Sequence, residues 1–68
     1  MINMKLQHFL DEQKISRREL SRQVNIRQST INDYCNNTFK SISKENLEKL
    51  CKHFECSVND LIEYKKED

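Results

Sequence analysis

Apolar side chains recur along this chain at helical spacing, in short bouts separated by polar breaks. Leu6, Phe9 and Leu10, with Ile2 one turn earlier and Met4 beside them, predict a first helix over residues 4–13. Ile15 and Leu20 then bracket Ser16-Arg17-Arg18-Glu19, a capping box whose flanking apolar pair has hydrophobic-staple spacing. A second helix over 17–24 follows, ending at the break Val24-Asn25-Ile26. Ile26 and Ile31 repeat the staple spacing and open a third helix over 28–35. After a polar loop holding the exposed-looking Phe39, Ile42 and Leu47 repeat it again. Leu47, Leu50, Cys51 and Phe54 lie at i, i+3, i+4 and i+7 on a fourth helix over 44–54. Ser57-Val58-Asn59-Asp60 caps a short fifth over 58–63, turning Leu61 and Ile62 toward the core. Lys65 to Asp68 reads as a frayed tail.

With no glycine, no proline and no long alternating run, strands and hairpins are not expected, and the fold class is all-α. Its 68 residues suit one domain, 1–68, with a small core. No apolar run approaches the roughly 18 residues of a membrane span, and no signal peptide is visible. The three cysteines make an odd count, which argues against a secreted disulfide framework and for a reduced cytoplasm. Net charge is only +1, but it is unevenly distributed. Residues 13–44 carry seven positive groups against two negative, while residues 1–12 and 45–68 are net acidic. Such an asymmetry turns one side of the molecule toward a polyanion.

A short helix, a tight break and a second helix with a polar outer face is the arrangement by which a helix-turn-helix enters the DNA major groove. Residues 16–35 resemble that motif in the Cro/C1 or Xre-type bacterial and phage regulators. The similarity continues through Asn36-Asn37, Ile42 and Leu47-Glu48-Lys49-Leu50-Cys51-Lys52. It ends in Cys56-Ser57, Asp60-Leu61-Ile62 and Glu63-Tyr64, so it covers nearly the whole chain. The resemblance implies a five-helix, lambda-repressor-like DNA-binding domain with its helix-turn-helix at the second and third helices. It implies a sequence-specific transcriptional regulator with no appended sensor domain. Relatives commonly place glycine in the turn, after the recognition helix and before the final Cys-Ser. Here those places hold Asn25, Asn37 and Glu55. Asparagine tolerates the left-handed region better than glutamate does, so Glu55 is expected to cost some stability.

With Ile31 and Tyr34 facing inward, the outer face of the third helix is Gln28, Ser29, Asn32 and Asp33, which the resemblance implies read base edges. Gln28 and Asn32 carry amides suited to bidentate pairing with adenine, and Ser29 can bond either base. Asp33 can accept from cytosine N4, or it orients Arg27 or Arg17 instead. Arg17, in the first turn of the second helix, is expected to meet a phosphate beside the backbone amides there. Arg27 stands at an N-cap where relatives often have Ser or Thr, exchanging a cap for a charge aimed at the DNA backbone. Asn36, Asn37, Thr38 and Lys40 match family positions that grip phosphates. Arg18 and Arg22 point elsewhere and serve long-range steering.

Other chemistry is poorly supported. Cys51, His53 and Cys56 are close in sequence, but His53 lies about 200° around the helix from Cys51. A structural zinc also needs four convergent ligands. No metal or cofactor is expected; the thiols read as small buried apolar groups, with Cys35 partly exposed. His8 belongs to the polar edge of the first helix. No nucleophile, base and pocket come together, so the chain does not read as an enzyme. The expected partner is double-stranded DNA, with no membrane. Because one such motif covers few base pairs, a weak, DNA-reinforced homodimer is expected, its seam at Ile62 and Tyr64 with Phe39 nearby. RNA polymerase or another regulator stays open as a further partner. The competing reading is a protein-interaction module on the same fold, antitoxin-like or an anti-host factor, using Phe39, Tyr64 and the acidic C-terminal surface.

Overall fold

The computed structural model describes residues 1–66. Among them it forms five helices, α1 Leu6–Gln13, α2 Arg17–Val24, α3 Gln28–Asn36, α4 Lys44–Phe54 and α5 Val58–Leu61. Two three-residue strands, β1 Ile2–Met4 and β2 Ile62–Tyr64, bracket them. The all-α expectation holds for the fold, and the two short strands are a minor addition that the sequence did not announce.

Local chemistry explains the helix starts. The Ser16 hydroxyl accepts from the Glu19 amide at 3.0 Å, and Ser43 does the same for Asn46 at 3.0 Å. Only half of the expected box at α2 forms. The Glu19 carboxylate takes Gln23 Nε2 at 3.2 Å and lies 3.7 Å from Arg22, and does not reach back to Ser16. At α5 the Ser57 amide donates to the Asp60 carboxylate at 3.2 Å. The staple pairs also pack: Leu20 and Ile31 are fully buried, and Ile15, Ile42 and Leu47 lie against the core. Cys56 and Leu61 add a fourth pair at the same spacing across Ser57.

The helix ends carry strain. Lys14, Asn25, Asn37 and Glu55, the C-caps of α1 to α4, have φ of 55°, 56°, 59° and 52°. Their backbone amides close the final turns onto carbonyls three or four residues back, and the amide after each reaches five back. A residue bearing a Cβ costs about 1–2 kcal/mol there. The core outweighs this. Leu6, Leu10, Leu20, Ile31, Leu50 and Leu61 are fully buried, each contributing about 1.5–3 kcal/mol.

The ends of the described chain form an antiparallel ribbon in which Ile2, Asn3 and Met4 face Tyr64, Glu63 and Ile62. Ile62 turns extended, at φ −122° and ψ 140°, which stops α5 at Leu61 and not at residue 63. Residues 2–4 are likewise strand, so α1 begins at Leu6 and not at residue 4. Lys65 is paired, not frayed: its amide donates to the Met1 carbonyl, and the N-terminal ammonium donates to the Lys65 carbonyl, both at 2.7 Å. The rest of the expected frayed tail reaches residues 67–68, outside the described ones. The ribbon is also tied to α3, because the Met4 amide donates to Asn37 Oδ1 at 2.6 Å and Asn37 Nδ2 donates to the Met4 carbonyl at 3.4 Å.

Around this frame the aromatic residues close the core. The Tyr34 ring is buried, its hydroxyl accepting from Asn46 Nδ2 at 3.0 Å. Phe39 is half-buried, not exposed, and meets Tyr34 edge-on with centroids 5.5 Å apart. Phe9 and Phe54 pack at 5.0 Å. No described helix is long and apolar enough to cross a membrane.

Candidate nucleic-acid interface

The turn between α2 and α3 is built from both sides. Val24 and Ile26 are buried on either side of the exposed Asn25. The Asn25 and Ile26 amides both donate to the Ser21 carbonyl, and the Ser21 hydroxyl donates to the Ile26 carbonyl. From α4, Lys49 Nζ reaches the Asn25 carbonyl at 3.3 Å. Four hydrogen bonds thus fix a left-handed residue that no glycine eases.

Beyond the turn α3 divides by face. Ile31, Tyr34 and Cys35 point into the core, while Gln28, Ser29 and Asp33 are exposed and Asn32 is half-buried. Arg27 occupies the N-cap with no side-chain bond to the helix and projects outward. Gln28, Asn32 and Asn36 fall at i, i+4 and i+8, one above another in a single row of amides.

Arg17 runs along that row. Its Nε donates to Gln7 Oε1 at 2.9 Å, Nη1 to Asn32 Oδ1 at 3.3 Å and Nη2 to Asn36 Oδ1 at 3.1 Å. One half-buried guanidinium therefore ties α1, α2 and α3 together. Gln7 in turn donates to Asp11 at 2.8 Å. Asp33 pairs with neither Arg17 nor Arg27; its carboxylate accepts from the Thr38 hydroxyl at 3.1 Å. The Asn37 side chain bonds back to β1, while the residue is exposed like Asn36, Thr38 and Lys40. Cys35 is buried, not partly exposed, because α3 continues one residue past it. Burial raises its thiol pKa, opposed by the nearby Arg17 charge and assisted by Asp11. The Cys56 thiol is raised too, by burial and then by Cys51. Both stay protonated near neutrality and are poor nucleophiles.

A family model for the Cro/C1-type HTH DNA-binding domain matches residues 5–67. The chain belongs to that family. It is a DNA-binding helix-turn-helix domain of the kind that regulates transcription, in a family that is typically non-enzymatic. No curated protein matches the chain. Membership gives the α2–turn–α3 unit its meaning, and the outward face of α3 is the face the sequence singled out. Two features escaped sequence reading. Gln7 joins the polar cluster from α1, and only its place on the edge of that helix hinted at it. Asn37 serves as a C-cap and a strand clamp, for which its left-handed tolerance was half the signal. Among the described residues no group of three or more His, Cys, Asp and Glu side chains is placed to hold a metal ion.

Proposed function

We propose that this Cro/C1-type domain binds a specific duplex sequence by laying α3 in the major groove. The observation that carries the reading is the split of α3 into a buried face and an outward row of hydrogen-bonding side chains. Gln28, Ser29, Asn32 and Asp33 face the base edges, with Asp33 oriented by Thr38. Arg27, Asn36, Thr38 and Lys40 flank that face and meet the phosphates, giving affinity and register without sequence information. Arg17 stands behind the face. Asn37 is committed to β1 and is not placed at DNA.

Residues 1–68 act as one domain in this reading, and two copies occupy a two-fold operator with recognition helices about 34–36 Å apart. The seam falls at the ribbon, where Ile2 is 59% and Tyr64 73% exposed, directly opposite each other in register. Phe39 lies under Tyr34 and has little to add there.

Heparin retention and a gel shift on random duplex at low salt test the first step. Selection of sites from random DNA tests the second. Gln28→Ala should cost about 1–3 kcal/mol on the selected site and little on random duplex. Equal losses on both would remove Gln28 from base reading. A protein that binds neither heparin nor duplex would instead be a protein-interaction module, with the exposed Ile2–Tyr64 pair as its apolar surface.

A further inference from the structure

Arg17 was expected at a phosphate, yet three of its five N–H groups point at the amide oxygens of Gln7, Asn32 and Asn36. The consequence is chemical as well as mechanical. A guanidinium only donates, so any amide facing it must present its oxygen. The far end of the chain is fixed in the same way, since the Asp11 carboxylate only accepts and takes Gln7 Nε2. From Asp11 through Gln7 to Arg17, and on to Asn32 and Asn36, every amide has one permitted orientation.

We infer that Arg17 sets the hydrogen-bonding sense of the reading face, holding Asn32 and Asn36 by their oxygens so that both present NH2 groups outward. This rests on the proposed docking of α3 in the groove and adds a base preference to it. Bidentate pairing with adenine needs an amide that donates to N7 and accepts from N6. With its oxygen turned back to Arg17 through one lone pair, Asn32 leads at the base edge with its NH2. The edges it suits are acceptors, guanine O6 and N7 or thymine O4, and it disfavours the cytosine amino group. The positive charge behind it pulls the same way. Gln28, first in the row, is not held by Arg17 and keeps both ends for adenine. Asn36 presents its NH2 to a phosphate oxygen. Arg17 is thus a positioning residue whose effect is read through Asn32.

The test is selection of bound duplexes by the wild-type chain, Asn32→Ala, Arg17→Met and Asn32→Asp, each checked for helical content. The base pair whose preference disappears in Asn32→Ala should be guanine or thymine in the wild type, favoured about tenfold over cytosine. Arg17→Met keeps the stem and releases the amide, so the same position should move toward adenine by a similar factor. Asn32→Asp keeps an acceptor on Arg17 and removes the donor, so the preference should invert toward cytosine even if Arg17→Met fails to fold. Uniformly weaker binding by Arg17→Met with unchanged preferences would mark a phosphate contact and overturn the inference. So would an adenine at that position in the wild type. Proton exchange at the Arg17 Nε of the protein without DNA gives a second readout. It should be slower than at the exposed Arg22, and equal rates would overturn the inference without reference to any duplex. If the wild type enriches no sequence at all, the docking reading itself falls, a result distinct from every shift in preference.

Discussion

Lys14 and Glu55 cap α1 and α4 with φ of 55° and 52°, although neither has glycine's freedom nor asparagine's compact polar side chain. The strain of about 1–2 kcal/mol at each is partly offset because glycine would lose more backbone entropy on folding. Lys14→Gly and Glu55→Gly should therefore each stabilise the domain by about 0.5–1 kcal/mol, a rise of a few degrees in Tm for a chain of this size. Asn25→Gly should gain less, since asparagine already tolerates the region. Asn37→Gly should do the opposite and lower Tm, because it deletes both bonds to Met4. Thermal denaturation of the four variants checks the order. A destabilised Glu55→Gly would mean that the carboxylate does more at that cap than its geometry indicates.

The five helices were legible in the sequence because each is announced nearby: by apolar spacing at α1 and α4, by a staple pair at α2, α3 and α4, and by a Ser cap at α2, α4 and α5. α2 and α4 keep their expected bounds, and α3 gains one residue. The strands were not, because their pairing joins the two ends of the described chain and needs the helices in place first. A faint signal was present, since Ile2 and Met4 alternate around Asn3 just as Ile62 and Tyr64 alternate around Glu63. Three residues are too few for alternation to outweigh a helical reading of the same positions. The outward face of α3 was legible once Ile31 was placed inward. The Arg17 cluster was not, because it depends on where α1 lies against α3. Asn37 links the two kinds of element and offers a test. Asn37→Ala should leave the Met4 amide without its acceptor, costing about 1–3 kcal/mol. Hydrogen exchange at Met4 and along the ribbon should accelerate most, while amides at the centre of α4 should accelerate less, following only the drop in global stability. Uniform acceleration would show instead that ribbon and helices open together.

The distribution of charge decides how a chain of net charge +1 approaches a polyanion at all. Arg27 is exposed at the start of α3 and Lys40 in the loop after it, whereas Lys52 and Lys66 are exposed among the acids of α4 and the C-terminal segment. Reversing both members of either pair to glutamate changes the net charge by the same amount. If net charge governed binding, the two double variants would lose equal affinity. If phosphates are met at the flanks of α3, only Arg27→Glu with Lys40→Glu removes contacts. Each lost contact lowers the slope of log affinity against log salt by about 0.9, so that variant should lose nearly two units of slope on random duplex. The Lys52→Glu, Lys66→Glu variant should keep the wild-type slope and shift only modestly in affinity, through weaker long-range attraction that salt screens within about 10 Å at 0.1 M. Neither change touches a buried side chain, so both variants should melt close to the wild type, and the comparison stays one of binding. Titrations at several salt concentrations check it, and equal slopes for the two variants would place the phosphates somewhere other than beside α3.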